Sequence, residues 1–569
     1  MPILPIDTGR YGTDAMLEVF EEETRLQKML DVEAALAWAH AEVGNIPRKD
    51  AEKIVRMSSL RYVKIARVKA IEKEIKHDVA ALVRVLSDVC GASGAYVHLG
   101  ATSYDIVDTA NALQLEKATC FGIASPSIFA MEKDVSRLPH KDMHSSVAIA
   151  SVFSEPPLQD SIQLMKNEHV AFAFEGRIYS PNARTLFAEN ISKKPQIERE
   201  KAIESLLEKA EGDFSLVIAE PDRILAARDP VGVQPLYYGE NDAHAALGSN
   251  RKILWKLGIE KPCSFPPGHI AVVSREGFKF KPVKTLAYEK PKPTTMEDAA
   301  ETLQGLLERS VRLRVRDVKE AAVAFSGGLD SSLVAFLANK CRVNVHLVHV
   351  SLTNQAETEE AKRAAEELKL PLSAHLFNEE DVAKVVAEVV ELIEEPDPVK
   401  VAVGIPFYWT AEKTAEAGFR VLLAGQGADE LFGGYQRYLN EYCLSGEEKT
   451  RRTMFADVTS IHESNIERDK KICGFHGVEL RLPFASYQVA DYAESLPLEL
   501  KIDRELTSLR KLVLRKVAEN IGLPASIVMK RKKAVQYSTG VNDALKKLAK
   551  KRKISVKDYM KQNEIHEKE

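Results

Sequence analysis

The sequence is poor in the features that mark secreted, membrane-bound or nucleic-acid-binding proteins. Its six cysteines are scattered without a Cys-x-x-Cys pair, so neither a zinc site nor a disulfide framework is indicated. No apolar run approaches the roughly 18 residues of a membrane span, and the N-terminus lacks the layout of a signal peptide. The net charge of −4 argues against a general nucleic-acid surface. We therefore expect a cytoplasmic protein that binds neither membrane nor nucleic acid.

The first 119 residues predict a helical domain. Apolar side chains recur at helical spacing over Glu18–His40 and again over Tyr62–Val89. A further helix is expected after the loop at Gly100. This segment is the first of three predicted domains, each long enough to bury its own core.

Two further domains are predicted beyond the helical segment. Residues 120–288 contain short β-like runs separated by proline and glycine turns, which favours an α+β domain. A linker at Lys290–Pro293 introduces residues 289–569, where strands alternate with helices. That alternation predicts an α/β domain with a parallel sheet and ligands at the carboxyl ends of its strands. The strand candidates are 321–325, 343–350, 372–377 and 420–424.

The stretch Ser326–Ser332, with the sequence Ser-Gly-Gly-Leu-Asp-Ser-Ser, is the most informative part of the chain. Apolar runs on both sides of it predict a buried strand, a tight turn and a helix. Glycines let the backbone approach an anion, and the turn presents several N–H groups to it. The Asp330 carboxylate can hold a cation that bridges phosphates. The expected phosphate-binding residues are Ser326, Gly327, Gly328, Leu329, Ser331 and Ser332.

This stretch resembles the PP-loop of enzymes that split ATP into AMP and pyrophosphate, and motifs across Met296–Asn542 resemble glutamine-hydrolysing asparagine synthetase. In that family, backbone near Val350 contacts the nucleotide. Gly425–Tyr435 resembles the pyrophosphate-side loop, with Gly427 among the contacting residues. Lys533 resembles a late lysine that stabilises charge at the phosphates. The ordered set is completed by Asn465, Arg468, Asp469, Gly477–Phe484 and Lys511–Arg515.

The resemblance implies that ATP activates a carboxylate for amidation, with aspartate as the expected acceptor and AMP and pyrophosphate as products. Ammonia cannot displace a carboxylate oxygen until adenylation makes it a good leaving group. The negative charge that develops on the phosphates must be neutralised by Mg²⁺ and fixed donors. Asp330 and Asp429 are the expected metal and pyrophosphate carboxylates. The alternative for each is a helix N-cap.

Two departures from the family leave the acceptor open. Gln426, an expected catalytic residue, stands where the commoner family text has a glutamate. Glutamine keeps the hydrogen-bonding shape but cannot accept a proton as a base at neutral pH. Secondly, Glu395–Val401 occupies the place of a Thr-Thr-Ile-Arg run near the amino acid. Aspartate is favoured, but another carboxylate is the alternative, since β-lactam synthetases adenylate other acids with this fold.

The middle domain resembles a class II glutamine amidotransferase of the NTN-hydrolase type, on the motifs Glu175–Tyr179 and Arg228–Tyr238. That family uses an N-terminal cysteine whose α-amine is the base, whereas Cys120 is internal and its nitrogen is an amide. Glu175 replaces the asparagine of the oxyanion hole, and its negative charge opposes a developing oxyanion. We therefore expect an impaired glutaminase and ammonia as the nitrogen source. The vestigial site comprises Cys120, Glu175, Gly176, Arg228 and Asp229, of which Arg228 and Asp229 are expected to order their own loop.

Residues 1–117 resemble the first part of adenylosuccinate lyase, on motifs around Arg10-Tyr11, Lys76–Val79 and Thr102–Ala110. The resemblance implies contacts with substrate phosphate or succinyl oxygens. The second catalytic histidine region and the mobile loop that supplies the base have no counterpart, so we expect no fumarate-forming activity. Residual lyase activity and an oligomerisation module, which would make the chain a homo-oligomer, are the alternatives. The lyase-like residues are Arg10, Tyr11, His77, Thr102 and Ser103.

Overall fold

The computed structural model divides the chain into two compact units. The first consists chiefly of the residues up to Thr119, and the second holds most residues from Cys120 onward. Arg10, Tyr11, Cys120 and Lys533 lie outside the described residues. The described ranges are 22–114, 121–124, 140–144, 147–151, 162–167, 170–179, 194–220, 222–241, 245–274, 276–504, 509–531 and 539–563.

The first unit is helical, as the sequence predicts. Leu26 and Leu30 on its first helix and Leu82 and Leu86 on its fourth are spaced one turn apart, and all are buried in one core. A 3-10 turn, Gly91–Tyr96, precedes the last helix. The helices are α1 (Glu22–Glu42), α2 (Arg48–Met57), α3 (Ile65–Ile75), α4 (Asp78–Cys90) and α5 (Ser103–Gln114).

The single helix expected over Tyr62–Val89 is wrong, because the chain breaks between α3 and α4. Lys76 ends α3 in the left-handed region, at φ 57°. The side chain of His77 then accepts a hydrogen bond from the N–H of Ala80 and begins α4. A left-handed C-cap followed by a side-chain N-cap separates two helices that bury their apolar stripes in the same core. Periodicity alone does not reveal such a break.

One stretch of the described residues, Asp78–Tyr96, is long and apolar enough by length and composition to cross a membrane, with a mean hydropathy of 1.2. It consists of α4 and the 3-10 turn that follows it. Its Val79, Leu82, Val85 and Leu86 are buried in the helical core. Buried core helices satisfy the same criterion as membrane spans.

The second unit begins with an α+β domain. Its described strands form one sheet in the order β10-β8-β9-β1-β3-β2 and another in the order β12-β11-β7-β6-β5-β4. Leu216 and Ile218 of β6 pack with Leu207 of α6, while Val217 on the opposite face packs with Leu247 of the other sheet. The strands are β1 (Phe121–Ala124), β2 (His140–His144), β3 (Val147–Ser151), β4 (Ile162–Asn167), β5 (Val170–Ile178), β6 (Gly212–Ala219), β7 (Ile224–Arg228), β8 (Tyr237–Glu240), β9 (Ala245–Gly248), β10 (Cys263–Ser264), β11 (His269–Ser274) and β12 (Gly277–Pro282), and the helices are α6 (Gln196–Lys209) and α7 (Arg251–Lys256).

The second unit ends with an α/β domain built on the predicted parallel sheet. Within the described residues its strands lie in the order β15-β14-β13-β16-β17, and every pair is parallel. Ala321, Ala322 and Val323 of β13 are fully buried because helices cover both faces of the sheet. The strands are β13 (Glu320–Ala324), β14 (Asn344–Leu352), β15 (Leu372–Phe377), β16 (Val421–Leu423) and β17 (Glu479–Arg481).

Helices surround this sheet and continue beyond its last strand. They are α8 (Met296–Val315), α9 (Leu329–Lys340), α10 (Ala356–Leu368), α11 (Glu379–Ile393), α12 (Pro398–Glu416), α13 (Ala428–Phe432), α14 (Gln436–Ser445), α15 (Glu447–Thr459), α16 (Glu467–Phe475), α17 (Tyr487–Ser495), α18 (Leu512–Asn520), α19 (Ala525–Val528), α20 (Val541–Lys551) and α21 (Val556–Gln562). A short π-helix, His462–Ile466, leads directly into α16. The candidate site lies where β13 and β16 end and α9 and α13 begin.

The β17 edge of the parallel sheet is covered by charged side chains. Arg177 of β5 donates to both carboxylate oxygens of Glu479, at 3.0 and 2.9 Å. Arg481 donates to both oxygens of Asp317, at 2.7 and 2.9 Å, and Arg177 pairs with Asp317 at 3.0 Å. The α+β domain therefore contributes an arginine to the edge of the neighbouring sheet.

Candidate active site

The PP-loop residues form the turn between β13 and α9. The N–H of Gly328 donates to Ser326 Oγ at 3.3 Å, and Ser331 Oγ lies 3.3 Å from the same atom. Ser326 is exposed, whereas the side chains of Leu329, Ser332 and Val350 are buried. The turn therefore presents the Ser326 hydroxyl to solvent, and those three buried side chains are not available to a ligand.

Glycines allow the loops of this site to approach one another closely. Gly327 has φ 64°, and a Cβ on it would lie 2.8 Å from the Cα of Ala361. A Cβ on Gly425 would lie 2.9 Å from the Cβ of Asp330, so the loop after β16 lies directly against the start of α9. Gly427 is also in the left-handed region, at φ 94°. Larger residues would separate the two loops.

Lys511 joins the two predicted carboxylates. Its Nζ lies 2.6 Å from Asp330 Oδ2 and 2.7 Å from Asp429 Oδ1. The lysine is buried, and its backbone is in the left-handed region at φ 62°, immediately before α18. A Cβ on Gly434 would lie 2.4 Å from the lysine Cε and 1.9 Å from Asp429 Oδ1. The structure thus brings Asp330 and Asp429 together around one ammonium group.

A second lysine approaches the PP-loop from the chain beyond α19. Lys530 Nζ donates to the carbonyl oxygen of Gly327 at 3.1 Å and pairs with Glu360 at 2.9 Å. Sequence reasoning missed Lys530 as a site residue. The signal for Lys511 was its place in the motif Lys511–Arg515, but that motif gave no position for the lysine side chain.

The two carboxylates fit a magnesium–nucleotide complex better than a metal held by the protein alone. No group of three or more His, Cys, Asp and Glu side chains within the described residues is placed to hold a metal ion. Mg²⁺ is commonly bound through one or two carboxylates together with phosphate oxygens and water. Asp330 and Asp429 supply that number of carboxylates beside the turn between β13 and α9.

Gln426 lies in the loop between β16 and α13 and contacts a buried ion pair. Its Nε2 donates to Asp469 Oδ2 at 2.9 Å. Arg468 holds both oxygens of Asp469, at 2.7 and 3.1 Å. Burial raises the pKa of Asp469, while the arginine and the glutamine amide act against that rise. The loop that faces the PP-loop is therefore tied to α16.

In the α+β domain, Arg228 and Asp229 order their own loop. The Asp229 carboxylate accepts hydrogen bonds from the N–H groups of Val231, Val233 and Gln234, at 3.1, 3.0 and 2.9 Å. Arg228 is fully buried and donates to three backbone carbonyl groups of the same domain and to Ser264. The Asp229 carboxylate is thus engaged within its own loop, and most donors of Arg228 are engaged within the same domain.

The other described residues of the predicted vestigial glutaminase site are Glu175 and Gly176. Burial raises the pKa of Glu175 to about 7, although Lys470 and a hydrogen bond with Gln234 act to lower it. Gly176 has φ 105°, and a Cβ on it would lie 2.1 Å from the carbonyl oxygen of Asp213. Close packing of β5 on β6 thus requires glycine at this position.

Glu467 is the buried acceptor through which the α+β domain contacts α16. It accepts hydrogen bonds from Arg228 at 3.1 Å and Tyr237 at 2.6 Å, and another from Ser264. Burial acts to raise the pKa of Glu467, but the charges of Arg228 and Lys471 outweigh it and lower the pKa to about 2. The residue next in sequence is Arg468, the partner of Asp469.

Three of the lyase-like residues lie close together in the helical unit. Ser103 Oγ is 3.5 Å from His77 Nε2, and Thr102 donates from its hydroxyl to Asp105 at 2.9 Å. His77 also caps α4 through its Nδ1. The Thr102 and His77 Nδ1 contacts are each local to a helix start, the Ser103–His77 contact joins the starts of α5 and α4, and all four side chains are exposed or half-buried.

Comparison with known proteins matches each part of the chain to a different family. The asparagine synthase family matches residues 302–449 and 442–564. A glutamine amidotransferase domain family matches residues 154–256, and a lyase family matches residues 9–121. A putative glutamine-hydrolysing asparagine synthetase from Methanocaldococcus jannaschii is 31% identical over 466 residues, which cover 73% of this chain and 85% of that protein.

The N-terminal relatives are of a different kind. An adenylosuccinate lyase from Pyrococcus abyssi is 52% identical over 138 residues, which cover 24% of this chain and 28% of that protein. The chain thus spans about a quarter of the length of the lyases it matches. Among solved structures, an NMN synthetase from Francisella tularensis covers 48% of this chain and 90% of its own, at 11% identity and a TM-score of 0.25.

A parallel sheet whose strand ends bring together a PP-loop and a second carboxylate loop, in a chain with these relatives, defines a ligase that uses ATP to form amides. The chain belongs to the asparagine synthetase family. It combines the synthetase part with a glutamine amidotransferase domain and a lyase-like N-terminal segment.

Proposed function

We propose that this chain converts aspartate to asparagine through a β-aspartyl-adenylate, releases AMP and pyrophosphate, and takes its nitrogen from free ammonia. The observation that supports it most is the ammonium group of Lys511 between Asp330 and Asp429, beside the PP-loop. Charge of both signs is thereby fixed where β13 and β16 end. That is where ligands of parallel sheets bind.

The phosphate-binding part of the proposal rests on the turn after β13. Ser326, the backbone of Gly327 and Gly328, and Ser331 would cradle the pyrophosphate. Asp330 and Asp429 would hold Mg²⁺, which neutralises phosphate charge when it is bound. Lys511 adds a positive charge that is already in place, so it need not move as negative charge develops on the phosphates. Lys533 is proposed for the same purpose, and backbone near Val350 for the nucleotide.

The nitrogen source follows from the residues of the amidotransferase-like domain. Cys120 has an amide nitrogen in place of the α-amine that acts as the base in that family. Glu175, whose pKa lies near neutrality, offers no fixed N–H donor to an oxyanion. Free ammonia is therefore the proposed donor, and the domain is proposed to be structural.

Incubation of the full chain with ATP, Mg²⁺, aspartate and ammonium tests the proposal, with pyrophosphate and asparagine as the measured products. Both should appear in equal amounts. Asp330→Asn should lower the rate by orders of magnitude, whereas Asp543→Asn, at an exposed position on α20, should not change it. Pyrophosphate release that requires neither aspartate nor another acid would contradict the proposal.

A different acceptor carboxylate is the second candidate, favoured by the structure of Glu395–Val401. Asp397 accepts hydrogen bonds from Val399 N and Lys400 N and begins α12 as its N-cap. Glu395 pairs with Arg251 at 2.9 Å and with Lys400 at 2.5 Å. The two acidic groups of this segment are therefore engaged in a helix cap and in ion pairs. A panel of amino and carboxylic acids in the pyrophosphate assay distinguishes the two candidates.

A further inference from the structure

A network of hydrogen bonds starts at Gln426, passes through residues of α16 and the π-helix before it, and ends at Glu430, four residues after Gln426. From Gln426 the network runs to Asp469 and then to Arg468. Arg468 Nη1 lies 3.4 Å from Asn465 Oδ1, and Asn465 Nδ2 donates to Glu430 Oε1 at 2.8 Å. Glu430 lies four residues after Gln426 in the same loop and helix. The motifs around residues 426 and 469 therefore form one polar assembly.

Asp469 fixes which way the Gln426 amide is turned. Arg468 donates an N–H to each oxygen of the Asp469 carboxylate, and Gln426 donates to one of them as well. Three donated hydrogen bonds thus converge on the two oxygens, and an ionised carboxylate, which can only accept, satisfies all three. The Gln426 NH₂ group must therefore point toward Asp469. Its amide oxygen is left to accept a hydrogen bond.

The α+β domain anchors the helix that carries Asp469. Glu467, two residues earlier on α16, accepts hydrogen bonds from Arg228 and Tyr237. Asp469 is fully buried, and Arg468 nearly so. The π-helix at His462–Ile466 sets the start of α16, and π-helical turns are frequent at functional sites. The hydrogen bonds of Glu467 and the burial of Arg468 and Asp469 therefore fix the orientation of α16 at this point.

We propose that Asp469 is a positioning residue for nitrogen transfer, because it turns the Gln426 amide oxygen toward the incoming ammonia. The amide oxygen then accepts a hydrogen bond from an ammonia N–H and orients the ammonia without removing a proton from it. The inference rests on the proposed function and assigns Gln426 the task of orienting the nucleophile. Ammonia keeps its lone pair for the acyl carbon, and the adenylate leaves as AMP when the carbon–nitrogen bond forms. The proton lost by the new amide nitrogen passes to solvent.

Asp469→Asn tests this role, with two reactions measured in the same full-length protein. ATP–pyrophosphate exchange in the presence of aspartate reports adenylation, and asparagine formation at a fixed free-ammonia concentration reports nitrogen transfer. We expect exchange to stay within about twofold, while the KM for ammonia rises or kcat falls on the order of tenfold to a hundredfold. Asp543→Asn serves as the matched control and should change neither reaction.

Gln426→Glu tests the same contact from the other side and leaves the Asp469–Arg468 pair intact. Two carboxylates would then face one another, and amidation should fall while exchange persists. In the double variant Gln426→Glu/Asp469→Asn, the new asparagine amide donates to the new glutamate, and the total charge of the pair is unchanged. Amidation should return to within about fivefold of the wild type.

Three results would overturn the inference: full amidation in either single variant, an equal loss of exchange and amidation, or a double variant no better than the weaker single one. If Asp469→Asn does not fold, the Gln426→Glu variant alone decides, because it keeps the buried pair. Absence of aspartate-dependent exchange in the wild type would instead refute the proposed function, and this role with it.

Discussion

The hydroxyl group of Tyr237 donates a 2.6 Å hydrogen bond to the carboxylate of Glu467, and both groups are buried. Tyr237 begins β8 of the α+β domain, whereas Glu467 begins α16 of the synthetase part. Arg228 donates to the same carboxylate. A domain proposed to lack glutaminase activity is thus part of the polar core on which the synthetase loop around Gln426 depends.

Replacing Lys511 with methionine should remove most adenylation. The substitution keeps the length of the side chain but leaves the Asp330 and Asp429 carboxylates facing each other without the shared ammonium group. We expect ATP–pyrophosphate exchange to fall on the order of 10²–10³-fold. Lys516→Met, on the same helix and half-buried, is the matched control. An unchanged exchange rate would exclude Lys511 from phosphate binding.

Ammonium should support asparagine formation far better than glutamine. The reason is that Cys120 has no free α-amine and Glu175 replaces an oxyanion donor. Cys120→Ala should leave the ammonium-dependent rate unchanged, and intact-mass analysis should find no chain that begins at Cys120. A cleaved chain for which glutamine equals ammonium as a donor would overturn this expectation.

Arg228→Met should destabilise the protein, and it should not change any activity measured with glutamine as the nitrogen donor. Arg228 is fully buried and donates to three carbonyl groups and to Glu467, so its removal leaves those carbonyl acceptors unsatisfied and takes one positive charge away from a buried carboxylate. We expect a loss of about 3–5 kcal/mol, measured as a lower unfolding midpoint. Arg437→Met removes the exposed arginine of an ion pair with the half-buried Asp457 and should cost no more than about 1 kcal/mol.

The contribution of Glu467 should depend on pH in the acid range. Its folded-state pKa is about 2, below the roughly 4.3 of an unfolded glutamate, so the stabilisation is complete above that unfolded value. It is lost as the pH falls toward 2, when protonation in the folded state begins. The difference in unfolding midpoint between the wild type and Glu467→Gln should therefore shrink from pH 6 to about pH 3. A constant difference would contradict the assignment.

Adenylosuccinate should not be cleaved at a measurable rate. His77 and Ser103 lie within 3.5 Å of each other, but the sequence has no counterpart of the loop that supplies the lyase base. The rate of fumarate formation, measured by its absorbance, should be the same in the wild type and in the His77→Ala variant. A rate that His77→Ala abolishes would show that the helical segment retains lyase chemistry.

The parallel sheet could be predicted from the sequence because its strands are buried on both faces. The four expected strands lie within two residues of their observed ends, since each is an apolar run bounded by turn residues. β17 was not predicted. It has three residues, Glu479–Arg481, and its two charged side chains, the half-buried Glu479 and the buried Arg481, are held by ion pairs that periodicity does not show.

The candidate site could be predicted only in part. Asp330 and Asp429 were expected at strand ends, and parallel topology brings such ends together. Lys511 lies 181 residues after Asp330 and reaches the site from a left-handed backbone position, so no local pattern gives its location. The contact of Asp469 with Gln426 joins residues 43 apart and depends on the packing of α16.

The ion pairs on β17 have a consequence for attempts to shorten the chain. An edge strand presents unpaired backbone groups that can recruit strands from other molecules. Here Arg177 of β5 covers that edge by binding Glu479 and Asp317. A synthetase fragment cut free at the Lys290–Pro293 linker would lose Arg177 and leave Glu479 and Asp317 paired with Arg481 but without this second arginine. Such a fragment should aggregate at concentrations where the full chain remains monodisperse.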